Sequence, residues 1–237
     1  MISRAIEDYL KAIYHIQTSG RHPSTNAIAE RLGVAPASVT NMLKHLASMR
    51  LIVHTPYQGA ELTELGSKVA LEVIRHHRLL ELYLTEHLGY SWDQVHDEAE
   101  RLEHVISEEM EDRIDQALGR PSVDPHGDPI PNRELVVDEE LSTPLSELLP
   151  GQQGVIARVS DRDPAMLRYL DDLGLVPSAN VTVTDKAPFN GPICVEVGNA
   201  RHTIGLELAA HIRMSSVTSL DEPARSEAAS RPNDVAG

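Results

Sequence analysis

The apolar positions of the first sixty residues follow helical spacing three times and then change to the spacing of strands. The elements that this pattern predicts are helices at 4–18, at 25–33 and from Pro36 onwards, and strands at 51–54 and 60–62 around a turn at 56–59. Three helices followed by a hairpin are the elements of a winged helix-turn-helix, although any small α+β domain could show the same order.

The helix that begins at Pro36 places polar side chains between its apolar positions. Hydroxyl, amide and ammonium groups of this kind can meet base edges and phosphates. The short connection at 33–36 also has the length that a helix-turn-helix needs. The residues that we predict to contact DNA are Ala37, Ser38, Thr40, Asn41 and Lys44.

A long helix is predicted from Thr63, a good N-cap residue, to Gly89. It is apolar on more than one side, which is typical of a helix buried in a large domain or shared across a dimer interface. Because this domain is small, we expect the dimer. Residues 91–118 complete the helical part.

The rest of the chain changes character at residue 119. Six prolines interrupt residues 119–150, which indicates a linker. Short alternating strands and one helix then predict a small barrel, and a polar carboxy-terminal segment predicts disorder. The predicted organisation is a winged helix-turn-helix domain at 1–62, a helical domain at 63–120, a linker at 121–150, a small β-barrel at 151–215 and a disordered tail at 216–237.

Composition narrows the class of protein. The 237 residues contain 3% aromatic side chains, too few for a nucleobase-stacking platform, and one cysteine, which excludes an intrachain disulfide. No apolar run approaches a membrane span, so we expect a cytoplasmic protein with no membrane partner. The net charge of −15 argues against nucleic acid, but residues 1–60 carry +3 on their own. DNA binding by this part therefore stays open.

Candidate metal ligands recur at helical spacing on two predicted helices. They are His77 and Glu81 on the first, and His96, Glu100, Glu103 and His104 on the second. Spacings of i, i+4, i+7 and i+8 put the second set along one stripe, where a helix usually carries its core. Imidazole and carboxylate together suit manganese, iron, zinc, nickel or cobalt. The alternative is an acidic, solvated helix with incidental histidines.

Several motifs resemble those of the diphtheria toxin repressor family of metal-dependent transcriptional repressors. These are Glu7-Asp8-Tyr9-Leu10, Ile28-Ala29-Glu30-Arg31-Leu32, His77-Arg78-Leu79-Leu80-Glu81 and Val95 through Val105. The resemblance covers roughly residues 1–215. It implies a mainly α protein with a small β part: a winged helix-turn-helix, a helical dimerisation and metal domain, and a carboxy-terminal SH3-like, or FeoA-like, barrel.

The resemblance also implies a primary metal site, formed by Asp8, Glu100, Glu103 and His104. Iron-responsive members of the family place methionine and cysteine where this chain has Asp8 and Glu100, whereas manganese-responsive members have aspartate and glutamate. Hard carboxylate oxygens in place of sulfur shift the preference toward manganese. The chain therefore resembles the manganese-responsive type.

A second site is implied with a different ligand set. Binuclear manganese members have a glutamate where this chain has Lys11, which cannot ligate while charged. The second site should then resemble the ancillary site of the iron members, with His77, Glu81 and His96. Asp163 is the first candidate for a fourth ligand and Asp161 the second. A turn at this position would need the same residues for capping alone.

Together these features predict a manganese-sensing repressor that binds two Mn²⁺ ions per chain. The metal-loaded homodimer should bind a palindromic double-stranded DNA operator and control metal-homeostasis genes, without a small organic substrate. An iron-dependent repressor with Fe²⁺ is the alternative. The other class, a metallohydrolase, lacks support because the chain has no His-Glu-x-x-His motif. We therefore predict that the protein is not an enzyme.

Overall fold

The computed structural model describes residues 2–55, 59–138, 141–161 and 163–219. Its backbone contacts divide the chain into two compact units. The first comprises Met1–Glu139 with Asp161–Leu167, and the second comprises Glu140–Ser160 with Arg168–Gly237.

The first unit is helical apart from one hairpin. Its elements are α1 (Arg4–Thr18), α2 (Thr25–Leu32), α3 (Pro36–Ser48), β1 (Ile52–Thr55), β2 (Gly59–Leu62), α4 (Glu64–Leu88), α5 (Val95–Leu102) and α6 (Glu108–Ala117). The strands pair antiparallel with Ile52 opposite Leu62. This order confirms the predicted three helices and hairpin. Most of the predicted turn, at 56–58, lies outside the described residues.

Local signals in the sequence explain where the first helices begin and end. The Ser24 hydroxyl accepts a hydrogen bond from the Ala27 amide at 3.2 Å and caps α2. Gly33, with a φ of 64°, ends α2 in the left-handed region that glycine tolerates best. Pro36 then opens α3, where its missing amide is not needed. The helix-turn-helix is thus specified locally.

The start of α4 is fixed against the end of the DNA-binding segment. The Thr63 hydroxyl accepts from the Gly66 amide at 3.1 Å and donates to the Leu51 carbonyl at 3.0 Å. A Cβ at Gly66 would lie 2.0 Å from the Leu51 carbonyl oxygen, so only glycine fits this close approach. The two segments therefore pack as one body.

The predicted single helical stretch at 91–118 is interrupted in the structure. Helix α5 ends at Leu102, and α6 starts at Glu108 after Ser107 caps it by accepting from the Met110 amide at 3.2 Å. Glu103 and His104 therefore lie in the turn that follows α5, and not on one helical stripe with His96 and Glu100. This turn redirects their side chains.

Part of the predicted linker is instead packed onto α4. Arg75 donates to the Pro131 carbonyl at 2.7 Å, and Arg78 donates to the Pro129 carbonyl. Val123 and Pro129 form an isolated antiparallel bridge. Buried arginines need such acceptors, so they fix the proline-rich chain in place.

The second unit contains a six-stranded antiparallel sheet in the order β3-β8-β4-β5-β6-β7. The elements of this part of the chain are β3 (Thr143–Pro144), a short 3₁₀ helix (Leu145–Glu147), β4 (Gln152–Val159), α7 (Pro164–Asp172), β5 (Asn180–Lys186), β6 (Ile193–Val197), β7 (Ala200–Ile204), α8 (Leu206–Ala210) and β8 (Ile212–Ser219). The sheet starts at Thr143 and not at 151, and β8 continues to Ser219, beyond the predicted end at 215. The rest of the predicted disordered tail lies outside the described residues.

No helix in the described part of the chain combines the length and apolar character needed to cross a bilayer. Even α4, with 25 residues, carries charged side chains along its length.

Candidate metal centres and DNA-contacting helix

Three of the four predicted primary ligands come together between α1 and the turn after α5. The ligand atoms of Asp8, Glu103 and His104 all lie within 4.8 Å of one another. His104 Nε2 is 2.9 Å from Asp8 Oδ1 and 3.3 Å from Glu103 Oε1. We refer to these three residues as the primary cluster.

The His104 ring is held by a residue that the sequence did not single out as a site residue. Its Nδ1 lies 2.6 Å from Glu7 Oε2, so this nitrogen donates to the carboxylate. The opposite nitrogen, Nε2, is buried among carboxylates and makes no hydrogen bond of acceptable geometry within the described ranges. A histidine with one nitrogen fixed by a carboxylate and the other aimed at oxygen ligands is arranged as metal-binding histidines are.

Glu100 is the predicted primary ligand that lies apart. Its side chain is 51% exposed, and its Oε1 is 3.8 Å from both Lys11 Nζ and His96 Nε2. It stays on the α5 surface because the helix ends two residues later and only Glu103 and His104 follow the turn.

Lys11 occupies the space beside the primary cluster. Its ammonium donates to Glu103 Oε1 at 2.9 Å and to Glu103 Oε2 at 2.8 Å. It also lies 3.3 Å from His77 Nδ1. The chain thus places a cation of its own where Glu103 and His77 meet.

A second group of ligands is centred on Glu81, which is fully buried in α4. Glu81 Oε1 is 2.9 Å from His77 Nε2 and 3.0 Å from His96 Nδ1. Asp161 Oδ2 lies 3.4 Å from His96 Nδ1 and completes this group, which we call the ancillary cluster.

The structure places Asp163 elsewhere. Its carboxylate accepts from the Ala165 amide at 2.8 Å and from the Met166 amide at 3.3 Å, which caps the start of α7. Asp161, the second candidate, therefore lies in the ancillary cluster, whereas Asp163, the first candidate, caps the helix that Pro164 opens.

A third group, formed by Glu81, Asp124 and His126, was missed at the sequence level. All three are buried, and His126 Nδ1 is 3.7 Å from Glu81 Oε2. Neither of these two atoms makes a hydrogen bond with any of the described residues. The run Asp124-Pro125-His126-Gly127-Asp128 carries the signal, but its proline and glycine are typical of a linker.

Buried charges in these clusters neutralise one another. Burial alone would lower the pKa of His77, but the Glu81 charge and hydrogen bonds with Glu103 and Glu81 raise it to about 9. Burial raises the pKa of Glu103, yet His77 and Lys11 outweigh it and hold the pKa below its usual range. The pKa of Glu81 lies well below its usual range because His77 outweighs its burial. At neutral pH both carboxylates are ionised.

The donor chemistry fits a divalent transition metal. The three clusters offer imidazole nitrogens and carboxylate oxygens, with no sulfur among the grouped residues. Two of their buried nitrogens, His104 Nε2 and His126 Nδ1, have no hydrogen-bond partner in the part of the chain that the structure describes. Such atoms are costly to bury unless a ligand binds them. Manganese, iron, cobalt and zinc accept this combination of ligands.

Helix α3 exposes most of the residues that we predict to contact DNA. Ala37, Ser38, Asn41 and Lys44 are exposed, while Val39, Leu43 and Leu46 form the buried face. Thr40 is half-buried, and its hydroxyl donates to the Pro36 carbonyl at 3.1 Å. The polar face is therefore free of the core.

Comparisons with known proteins agree with this architecture. Family models match the iron-dependent repressor DNA-binding domain at residues 1–60, the iron-dependent repressor metal-binding and dimerisation domain at 63–132, and the FeoA domain at 143–215. Iron-dependent repressor IdeR of Mycobacterium tuberculosis is 34% identical over 223 residues, which covers 89% of this chain and 96% of IdeR.

Solved structures are similar over the same length. A manganese-dependent transcriptional repressor in complex with manganese has 39% identity and a TM-score of 0.83, covering 88% of this chain and 98% of its own. ScaR with bound Cd²⁺ has 32% identity and a TM-score of 0.76, covering 89% and 98%.

Fold and clusters thus define a metal-dependent transcriptional repressor with DNA-binding, dimerisation and SH3-like FeoA domains. The chain belongs to the iron-dependent repressor family, which includes IdeR and the diphtheria toxin repressor. This confirms the resemblance, the mainly α fold class and the repressor function. The family is one of regulators rather than enzymes.

Proposed function

We propose that the protein is a manganese-sensing repressor whose metal-loaded homodimer binds a palindromic operator upstream of metal-homeostasis genes in the cytoplasm. The observation that supports this most directly is the primary cluster. Asp8 belongs to α1 of the DNA-binding part, whereas Glu103 and His104 follow α5 of the helical part, and their ligand atoms lie within 4.8 Å. A cation bound there would join the two parts.

The residues of the chain explain how this joining acts on DNA. In the metal-free protein Asp8 and Glu103 carry like charges toward one another, and burial raises the pKa of Asp8. A divalent ion supplies the positive charge that favours both carboxylates at once. Helix α1 contacts α2, and α2 contacts α3, so fixing α1 restricts where the reading helix lies. Two such helices in a dimer are then biased toward one half-site spacing.

We propose Mn²⁺ as the metal, with Glu100 joining Asp8, Glu103 and His104. The exposed Glu100 carboxylate is free to change rotamer, and it would add a third hard oxygen ligand. Iron remains the alternative, since relatives named for iron and structures named for manganese both match the chain.

The test is a DNA-binding titration with the purified full chain. An operator is first selected from a random library of double-stranded DNA with the manganese-loaded protein. The affinity of the protein for this DNA is then measured with increasing Mn²⁺, with increasing Fe²⁺ under anaerobic conditions, and with chelator. We expect tight binding with Mn²⁺ and weak binding with chelator. Equal affinity in all three arms would refute the mechanism, and a response to Fe²⁺ alone would favour the iron sensor.

We propose a second ion at Glu81, giving two ions per chain. Two donor groups share this carboxylate: the ancillary cluster and the pair Asp124 and His126. His126→Ala and His96→Ala should separate them when bound manganese is counted by mass spectrometry after buffer exchange. Loss of one equivalent in a single variant identifies the group that binds.

The DNA-contacting residues of α3 are a further part of this proposal. Lys44→Ala should weaken binding to specific and random DNA alike, whereas Asn41→Ala should cost about 1–3 kcal/mol mainly on the selected site. Equal loss on both DNAs in both variants would show that α3 is not the reader.

A further inference from the structure

Within the described residues, Lys11 is the one lysine of the first unit whose ammonium lies against buried candidate metal ligands. Its side chain is 11% exposed, and the Glu103 side chain that it contacts is 1% exposed. The ammonium donates to both oxygens of this carboxylate and lies 3.8 Å from Glu100 Oε1. It also lies 3.3 Å from His77 Nδ1, so it contacts one residue of the primary cluster, Glu103, and one of the ancillary cluster, His77.

A carboxylate that is almost fully buried needs a paired cation to be stable. Two groups contact this carboxylate: the Lys11 ammonium, which donates to both of its oxygens, and the His77 ring, whose Nδ1 is hydrogen-bonded to Glu103 Oε2. Lys11 comes from α1, the same helix that carries Asp8. The ion pair thus spans the same two parts of the protein as the primary cluster.

A divalent ion at the primary cluster would use Glu103 as well. Lys11 would then lie on the other side of this carboxylate, and two cations a few ångströms apart repel each other strongly in a partly buried site. The lysine that stabilises the metal-free arrangement is thereby a competitor of the metal.

We propose that Lys11 is a built-in cation: it holds Glu103 to α1 without metal and lowers the affinity of the primary cluster for manganese. Its second effect rests on the proposed metal-binding function, whereas its first does not. Together these two effects set the metal concentration at which the sensor responds, because a bound ion has to weaken the ion pair between Lys11 and Glu103.

The experiment compares Lys11→Met, which keeps the apolar stem but removes the charge, with Lys11→Arg, which keeps the charge. Lys68→Met is the matched control, because Lys68 is exposed and pairs only with Glu64 within the described residues, at 2.8 Å one turn away. Two quantities are measured on the full chain: the thermal midpoint in chelator, and the manganese dissociation constant by competition with a fluorescent chelator.

Lys11→Met should lower the midpoint in chelator and bind manganese at least about tenfold more tightly than the unmodified chain. Lys11→Arg should restore both values, and Lys68→Met should change neither. If Lys11→Met fails to fold, Lys11→Gln, which can still donate to Glu103, should show the tighter manganese binding.

Unchanged or weaker manganese binding in Lys11→Met and Lys11→Gln would overturn the competition. An unchanged midpoint in chelator would overturn the stabilising role. If the unmodified chain binds no manganese, the proposed function fails, and the chelator measurement still decides whether Lys11 stabilises Glu103.

Discussion

The two units bury different chemistry. Within the described residues, every buried ionisable side chain lies in the first unit; the second buries only one polar residue, Ser215, among aliphatic side chains. The buried ionisable residues are Arg75, His76, His77, Glu81, Asp93, Glu103, Asp115, Asp124 and His126. Aliphatic burial stabilises a fold under most conditions, whereas buried charge is stable only with its partners. The first unit is thus built to respond to cations and protons.

The largest expected effect tests the buried charge directly. Glu81→Ala removes the carboxylate shared by His77, His96 and His126, and leaves the buried His77 and His126 rings without it. In chelator we expect a loss of about 3–5 kcal/mol in unfolding free energy, measured by urea denaturation. Trp92, the single tryptophan, reports the first unit. Glu64→Ala, on the exposed start of the same helix, is the control. An equal loss in both variants would contradict the claim that the buried charges stabilise the first unit.

Shortening a core side chain of the second unit should lower the free energy of unfolding by a similar amount, for another reason. Ile156 is 1% exposed in β4, and Ile156→Ala should destabilise by about 2–5 kcal/mol through lost burial and a cavity. Hydrogen exchange of the sheet amides measures this loss. It should be the same with manganese as with chelator, and at pH 6 as at pH 9. A loss that manganese reverses would show that the apolar unit is not independent of the metal.

The pH dependence should separate the units next. The folded pKa of His77 is about 9 against an ordinary 6.5, so its stabilisation is fully present below pH 6.5 and is lost as pH rises through about 9. The shift corresponds to about 3 kcal/mol. We expect the urea midpoint from Trp92 fluorescence in chelator to fall over this range. Exchange protection in the second unit, corrected for intrinsic rates, should stay constant; a parallel fall would remove the distinction.

How far the sequence predicts these regions depends on the range of the interaction. Helices α1 to α3 and the hairpin follow from apolar spacing and from capping residues such as Ser24 and Pro36, all of which act within a few positions. The primary cluster needed the family resemblance, because Asp8 and His104 are 96 positions apart in the chain. The local periodicity of the sequence contains no information about such a long-range contact.

The differences between the predicted and the observed arrangement of the site have the same origin. Helical spacing predicts one stripe from His96 to His104, but a turn after Leu102 separates Glu103 and His104 from Glu100. Asp124 and His126 were missed because proline and glycine indicate loops and not burial, whereas that loop is held on the helical part by long-range contacts, among them those of Arg75 and Arg78. Asp161 and Asp163 differ by two positions, and periodicity does not indicate which of them caps α7 and which lies near His96.

The smallest effect concerns a residue beside the cluster, and it tests whether the first unit positions its ligands as well as supplying them. Glu7 accepts from His104 Nδ1 and so leaves Nε2 for Asp8, Glu103 and a metal. Glu7→Gln keeps the size but weakens this hydrogen bond, and manganese affinity should fall about 10- to 100-fold, in line with other residues that orient a metal-binding histidine. The full chain is titrated with manganese against a fluorescent chelator, and Glu30→Gln on the exposed side of α2 is the control. Glu7→Asp, which restores the charge, should recover part of the affinity if it still reaches His104. Affinity unchanged in Glu7→Gln would mean that His104 is oriented by the turn after α5 alone, and the buried charge of the first unit would then supply ligands without positioning them.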